Sequence, residues 1–121
     1  FIQKLLKDGI EGYLNKKLLD SVSFIFLQAK NGYEGLRILE KDKVDLIICD
    51  LYLPVLDGFE MIRRVREQEE TRHIPLLAVS AGDEESGRKA IELGADIFLA
   101  KPLILSKVFR TICSLLNINP D

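Results

Sequence analysis

The sequence predicts an α/β fold with a doubly wound parallel sheet, and two patterns carry that prediction. Short apolar runs alternate with longer amphipathic stretches along the whole chain. Alternation of this kind is typical of parallel strands that are joined by right-handed helical crossovers. In addition, the run from Val44 to Cys49 is nearly continuous in apolar residues. Such a run is expected of a parallel strand that is covered by helices on both faces.

Helical spacing of apolar residues predicts five helices. The first covers Phe1 to Leu14, and the second follows the turn pair Asn31-Gly32. Acidic residues at 83–85 favour the start of the fourth helix through the helix dipole, and Gly94 ends it. The predicted helices are residues 1–14, 33–41, 58–70, 83–93 and 108–116.

Four strands are predicted between these helices. Aromatic and β-branched residues favour a strand over 23–29. The central strand stops at Asp50, since Pro54 bars its regular continuation and Asp57-Gly58 supplies the next helix start. The predicted strands are residues 23–29, 44–49, 74–79 and 97–100.

Size, composition and charge indicate one globular domain and exclude several classes of function. The chain has 121 residues, of which 47% are hydrophobic and 30% are charged, as in an ordinary single domain. Its net charge of −2 gives no overall basic field for nucleic acid or an anionic membrane. No apolar run approaches the roughly 18 residues of a transmembrane helix, and no signal-peptide layout is present. The sequence therefore predicts a cytoplasmic protein that binds neither nucleic acid directly nor a membrane.

Three of the predicted strands end in a polar residue, namely Asp50, Ser80 and Lys101. Parallel strands share one carboxyl edge, so these side chains are expected to converge where open α/β sheets bind ligands. A carboxylate attacks phosphorus, a hydroxyl donates to a phosphoryl oxygen, and a lysine neutralises charge. Asp50 taken alone fits a strand terminator or a cap equally well. The three residues together predict an acyl-phosphate site, for which Mg²⁺ is the usual cofactor.

The motif D-L-Y-L-P-V-L-D-G from Asp50 to Gly58 is followed by V-S-A-G around Ser80 and by F-L-A-K-P ending at Pro102. Together these motifs resemble the receiver domain of bacterial two-component response regulators. The resemblance extends over nearly the whole chain, with suitable spacing between all three motifs. It implies a CheY-like, flavodoxin-like fold of five βα units.

The resemblance also implies a role for each of these positions. Asp50 would be phosphorylated by a histidine kinase or a phosphotransfer protein, Lys101 would bind the phosphoryl group, and Ser80 would be the switching hydroxyl. Phe98 corresponds to the aromatic residue that changes rotamer. The Asp50 carboxylate and the backbone carbonyl of Tyr52 would be Mg²⁺ ligands. Such a module is not an enzyme, although it is expected to dephosphorylate itself.

A surface over residues 83–112 is predicted to respond to phosphorylation. A phosphoryl group adds about −1.5 to −2 charge, which is expected to draw Ser80 inward and to open space for Phe98. The affinity of this surface for an effector domain or a second copy of the chain should then change.

The sequence departs from the family pattern at its N-terminus. Receiver domains begin with an interior apolar strand that ends in an acidic pair. Neither Asp8 nor Glu11 replaces that pair, because both lie within the first predicted helix. The expectation is a single, N-terminally incomplete receiver domain over residues 1–121, with the first strand missing. Asp50 and Tyr52 alone supply too few Mg²⁺ ligands, so weak or undetectable phosphorylation is expected of the chain by itself.

Two other functions match parts of the pattern. Hydrolases of the haloacid-dehalogenase type also use a strand-end Asp, a Ser or Thr, and a Lys. They place a second Asp two residues after the nucleophile, where this sequence has Tyr52, which cannot serve as the acid/base carboxylate. Turnover of a phosphomonoester would favour that class. The other alternative is a receiver-like interaction module that is never phosphorylated, and Mg²⁺ titration would distinguish it.

The remaining chemically active side chains predict ordinary roles. Cys49 and Cys113 have no second Cys or His at metal-ligand spacing, which indicates reduced packing residues. His73 lies in a polar loop and is expected to be exposed. A set of arginines interspersed with glutamates predicts a solvated helix face. These arginines are Arg63, Arg64, Arg66 and Arg72.

Overall fold

A computed structural model describes residues 29–52, 57–81 and 84–117, and within them helices and strands alternate. The helices are α1 (Gly32–Lys41), α2 (Gly58–Glu67), α3 (Glu84–Leu93) and α4 (Leu105–Leu116). The strands are β1 (Ile47–Asp50), β2 (Leu76–Ser80) and β3 (Ile97–Ala100). The helix predicted over 1–14, and all but the last residue of the strand predicted over 23–29, lie outside the described residues.

The three described strands form one parallel sheet in the order β1-β2-β3. In this sheet Cys49 pairs with Ala78, and Ala78 pairs with Phe98. All three strands run in the same direction and a helix joins each to the next, as in right-handed crossover folds. The predicted parallel α/β architecture is confirmed, and the carboxyl ends of the strands meet at one edge.

Helices cover both faces of this sheet. On one face the strands pack against α4, where Val108 and Ile112 are almost fully buried. On the other face they pack against α2 and α3, where Met61 is fully buried. Successive residues of β1 serve the two sides, since Ile47 packs toward α2 and Ile48 toward α4. The sheet is therefore doubly wound, as predicted, and its strands are apolar on both faces for that reason.

The strands β1 and β2 both start later than the apolar pattern predicts. β1 starts at Ile47 rather than Val44, because its first hydrogen bond to the neighbouring segment is donated by the Ile47 N–H to the carbonyl of Pro75, just before β2, at 2.9 Å. β2 starts at Leu76 rather than Ile74, because Pro75 has no N–H to donate to a neighbouring strand.

Helix α2 ends at Glu67, three residues before the predicted Glu70. Gln68 adopts an extended backbone with φ −92° and ψ 131°. Its carbonyl instead accepts hydrogen bonds from the N–H groups of Thr71 and Arg72, at 3.2 and 2.9 Å. A turn therefore replaces the last helical turn.

Both cysteines are free and buried, as predicted. Burial raises the pKa of the Cys49 thiol to about 12, and it also raises the pKa of Cys113. A thiol with a raised pKa stays protonated at neutral pH and is a poor nucleophile. The two residues therefore contribute packing. His73 is exposed, also as predicted.

One member of the predicted solvated arginine face is not solvated. The Arg66 side chain is only 19% exposed, and its guanidinium donates to three backbone carbonyls and one carboxylate. Its acceptors are Gly94 O at 2.8 Å, Arg72 O at 3.0 Å, Ile74 O at 2.7 Å and Asp96 Oδ2 at 3.0 Å. The prediction is wrong for Arg66 because its partners lie on other loops, where no local charge pattern reveals them.

Of the helices in residues 29–52, 57–81 and 84–117, none is both long and apolar enough to cross a membrane.

Candidate functional site

The Asp50 carboxylate stands at the carboxyl end of β1, where the chain leaves the sheet. Its Oδ1 accepts a hydrogen bond from the Tyr52 N–H at 3.0 Å. Its Oδ2 accepts one from the Lys101 ammonium at 2.8 Å. The Asp50 side chain is 15% exposed, so it is reachable from solvent but mostly shielded. The buried strand behind it fixes its position, since Cys49 has no exposed surface.

Lys101 reaches Asp50 from the far side of the sheet. It directly follows β3, and β2 lies between β3 and β1. The Lys101 N–H donates to the Ser80 carbonyl at 2.8 Å, which anchors its backbone to the end of β2. Solvent screens a partly buried ion pair less than a surface pair. The positive charge of the ammonium is therefore held directly beside the carboxylate.

Ser80 is the last residue of β2 and is fully buried. It pairs with Ala100, while the residue before it, Val79, pairs with Asp50. Ser80 thus lies one residue beyond the register of Asp50, on the strand between Asp50 and Lys101. All three predicted residues share the carboxyl edge, as the parallel geometry requires.

Gly58 shapes the site by having no side chain. A Cβ at this position would lie 2.5 Å from both the Asp50 carbonyl oxygen and the Leu51 Cα. The Gly58 N–H donates to the Leu51 carbonyl at 2.9 Å, so the start of α2 folds back onto the end of β1. Asp57 caps α2 by accepting from the Glu60 N–H at 2.9 Å. The sequence indicated the turn and the cap, but not this close contact.

Tyr52 is a residue of the site whose side chain the sequence did not single out. Its side chain is exposed, and its hydroxyl lies 2.9 Å from Ser86 Oγ on α3. Its ring meets the Phe59 ring edge-on, with centroids 6.1 Å apart. Tyr52 occupies the position at which dehalogenase-type hydrolases carry a second Asp, and its phenol is hydrogen-bonded to another helix. An aromatic residue two positions after the strand-end Asp was the available signal.

Phe98 lies on β3 with its ring against α3. A Cβ at Gly87 would lie 2.6 Å from Phe98 Cδ2, so the ring occupies the space that the missing side chain leaves. The residue is half-buried and packs against the cluster between the sheet and α2. Its position three residues before Lys101 is the one predicted for the rotating aromatic.

The described residues do not complete a Mg²⁺ site. Mg²⁺ requires near-octahedral oxygen coordination, and the candidate protein donors here are the Asp50 carboxylate and the Tyr52 carbonyl. Both Asp50 oxygens already accept hydrogen bonds, and Asp57 is engaged as a helix cap. Within residues 29–52, 57–81 and 84–117, no cluster of three or more His, Cys, Asp or Glu side chains could hold a metal.

Comparison with known sequences gives one family over most of the chain. The model of the response regulator receiver domain matches residues 13–112. The polar-differentiation response regulator DivK of Brucella anthropi is 32% identical over 108 residues, which cover 86% of this chain and 85% of DivK.

Solved structures agree with this match. The signal receiver domain of a histidine kinase from Syntrophus aciditrophicus superposes with a TM-score of 0.80 at 25% identity, over 95% of this chain and 84% of that one. The receiver domain of a sensor histidine kinase from Pseudomonas aeruginosa, which has a magnesium ion in its active-site cleft, gives 0.75 at 25% identity, over 95% and 92%. With the doubly wound parallel sheet, these matches establish that the chain belongs to the response regulator receiver domain family.

Proposed function

We propose that this receiver domain is the phosphoacceptor of a two-component phosphorelay, with Asp50 accepting the phosphoryl group from a histidine kinase or a phosphotransfer protein. The observation that carries the proposal is the ion pair between Asp50 and Lys101, 2.8 Å long, at the carboxyl edge of the sheet. It combines a nucleophile that solvent can reach with a fixed positive charge beside it. Such a charge stabilises the negative oxygens of a phosphoryl group in transfer.

The transfer exchanges one bond to phosphorus for another. An Asp50 carboxylate oxygen forms the new O–P bond, while the P–N bond of the donor phosphohistidine breaks. The bonding electron pair remains on the imidazole nitrogen, which then takes up a proton. Lys101 balances charge on the phosphoryl oxygens, and Ser80 donates a hydrogen bond to one of them. Attack of water on phosphorus later breaks the bond between the Asp50 oxygen and phosphorus, which releases inorganic phosphate and restores the carboxylate. The chain thus resets itself without acting on a separate substrate.

The proposal includes Mg²⁺ as cofactor, held by the Asp50 carboxylate, the Tyr52 carbonyl and ligands from outside the described residues. When bound, the ion would neutralise charge on the phosphoryl group. The similarity to a receiver domain that carries magnesium in its cleft supports this part.

The response to phosphorylation involves Ser80, Phe98 and the surface over residues 83–112. A phosphoryl group on Asp50 draws the Ser80 hydroxyl toward it, and the Phe98 ring turns into the space that opens. The surface then changes its affinity for an effector domain or for a second copy of the chain. The packing of Phe98 on Gly87 supports this route, because it joins the strand beside the site to α3. The proposal assigns the module to the cytoplasm.

Phosphotransfer from a phosphohistidine donor tests the proposal. The described residues supply few Mg²⁺ ligands, so saturating Mg²⁺ and excess donor are needed. Under those conditions mass spectrometry should find one phosphoryl group on the peptide that contains Asp50. Asp50→Asn should remove the label. Asp57→Asn is the matched control, because Asn caps a helix as well as Asp does, and it should keep the label. Label that persists in Asp50→Asn would overturn the assignment of the acceptor.

One observation favours a second candidate, a receiver-like interaction module that is never phosphorylated. Phosphoryl transfer in this family relies on the metal ion. The described residues supply only a single carboxylate to it. If the chain takes no label at saturating Mg²⁺ and excess donor, this second function replaces the first.

A further inference from the structure

Tyr52 contacts the candidate acceptor and a distant helix at the same time. Its backbone N–H donates to Asp50 Oδ1 at 3.0 Å. Its hydroxyl hydrogen-bonds with Ser86 Oγ at 2.9 Å, across 34 positions of sequence. Ser86 lies in the first turn of α3. One side chain therefore joins the loop that follows β1 to the start of α3.

We propose that Tyr52 and Ser86 are positioning residues that link the charge on Asp50 to the first turn of α3, by a route separate from Ser80. The phosphorylation that would use this route rests on the proposed function. The route itself does not, because it depends only on the Asp50 carboxylate, the Tyr52 N–H and the two hydroxyls.

The Tyr52 ring is largely exposed, but its contacts limit the positions that it can take. A tyrosine side chain has two rotatable χ angles, so few contacts are needed to fix it. The Phe59 ring on α2 meets it edge-on at 6.1 Å, in an arrangement that aromatic pairs prefer. The Lys89 ammonium on α3 lies 4.4 Å from the centroid of the Phe59 ring, within range of a cation–π contact. The ring therefore lies among groups of α2 and α3.

A change at Asp50 alters the first of these contacts directly. The Tyr52 N–H now donates to a carboxylate, and hydrogen bonds to a charged acceptor are roughly twice as strong as neutral ones. Phosphorylation turns the carboxylate into an acyl phosphate, whose remaining carbonyl is a neutral acceptor. The hydrogen bond that the Tyr52 N–H donates to Asp50 then weakens, and the backbone that carries the Tyr52 ring is less tightly held.

The first turn of α3 contacts both Tyr52 and Phe98, so a movement of either side chain reaches it. Ser86 is followed by Gly87, on which the Phe98 ring packs. Tyr52 thus approaches the turn from β1, and Phe98 approaches it from β3. The geometry points to α3 as the element where both routes meet.

Amide hydrogen exchange on the full chain tests the link without any phosphoryl transfer. Asp50→Asn keeps the shape of the acceptor but removes its charge. It should speed exchange at the Tyr52 amide and at the Arg88 and Lys89 amides by about 5- to 10-fold, the size expected of one hydrogen bond. In a Tyr52→Phe or a Ser86→Ala background, the effect of Asp50→Asn on the α3 amides should vanish. Tyr33→Phe and Ser114→Ala are matched backgrounds that should preserve it.

An equal effect of Asp50→Asn on the α3 amides in the wild-type, Tyr52→Phe and Ser86→Ala backgrounds would overturn the inference. So would the absence of any effect in the wild type. Labelling with a phosphodonor separates this result from the proposed function. A chain that shows the exchange pattern but takes no label retains the link and loses the phosphoacceptor role, and a labelled chain without the pattern does the reverse.

Discussion

At the scale of single residues, the geometry of the site requires that Gly58 has no Cβ. The start of α2 comes so near the end of β1 that a Cβ at Gly58 would lie 2.5 Å from both the Asp50 carbonyl oxygen and the Leu51 Cα. Both of these are backbone atoms, which cannot rotate away as a flexible side chain can. The φ angle of Gly58 is not in the left-handed region, so the requirement is for space. Gly58 therefore determines how α2 and the acceptor residue fit together.

Gly58→Ala should move the backbone of Asp50 and Leu51 and should destabilise the protein by about 1–3 kcal/mol, as overpacking does. Denaturant unfolding measures the loss. Phosphoryl transfer to Asp50 should slow more than the stability loss alone explains, because the Asp50–Lys101 distance changes as well. Unfolding and transfer that both match the wild type would show that the loop yields easily.

At the scale of elements, α3 is where two neighbouring structures make contact. Ser86 hydrogen-bonds with the Tyr52 hydroxyl. The Phe98 ring packs so closely on Gly87 that there is no room for a side chain at that position. Glycine inside a helix normally weakens it by about 1 kcal/mol relative to alanine. The presence of Gly87 in α3 is explained by the aromatic ring beside it.

The effect of Gly87→Ala on the free energy of unfolding should therefore have opposite signs in the wild type and in Phe98→Ala. In the wild type it should destabilise, because the new Cβ would lie 2.6 Å from the ring. In a Phe98→Ala background it should stabilise by about 1 kcal/mol through helix propensity alone. Thermal or denaturant unfolding of the four proteins gives the comparison, and a destabilisation of the same size in both backgrounds would contradict it.

A second element, α2, makes stability depend on pH through its surface charges. Hydrogen bonds from Arg63 and Arg64 lower the pKa of Glu60 to about 2, from an ordinary value of 4.5. A carboxyl whose pKa is lowered by folding stabilises the protein above its unfolded pKa. That contribution is lost as the pH falls from 4.5 toward 2.

Glu60→Gln should therefore flatten the fall in the free energy of unfolding between pH 4.5 and 2. The interaction is solvent-exposed and screened, so the change should shrink at high salt. Denaturant unfolding at a series of pH values is the measurement. An unchanged slope at low salt would show that the pairs with Arg63 and Arg64 do not persist in solution.

At the scale of the whole molecule, Arg66 ties together three parts of the chain at the edge opposite the site. From α2 it holds the turn before β2 through Ile74, and the turn before β3 through Gly94 and Asp96. Asp96 in turn accepts the Leu76 N–H at 2.8 Å. One guanidinium therefore helps to fix the relative positions of β2 and β3 at their amino ends.

Arg66→Lys should destabilise the protein by about 2–3 kcal/mol, because an ammonium cannot reproduce the fork of donors and leaves the part-buried carbonyls of Gly94 and Ile74 without a donor. Arg63→Lys on the same helix is the control and should change little, since Arg63 is itself exposed and ion pairs at the surface contribute little. Equal effects of the two substitutions on denaturant unfolding would disprove this role of Arg66.

These contacts show which parts of the molecule a sequence can predict. Alternating apolar runs predicted the parallel sheet, and parallel geometry alone required Asp50, Ser80 and Lys101 to end at one edge. The Tyr52–Ser86 bond spans 34 positions, and the Arg66–Gly94 bond spans 28. The first joins two hydroxyls and the second ends on a backbone carbonyl, so no residue pattern marks either. Both hydrogen bonds depend on how the helices pack on the sheet, which only the structure shows.

The claim that phosphorylation of Asp50 is read out through Ser80 is tested most directly by the NMR signals of the Phe98 ring. The spectra are taken before and after labelling with a phosphodonor, in the wild type and in Ser80→Ala. We predict that labelling shifts the Phe98 signals much further in the wild type than in Ser80→Ala, although both proteins carry the phosphoryl group. Equal shifts of the Phe98 signals in the two labelled proteins would contradict the mechanism.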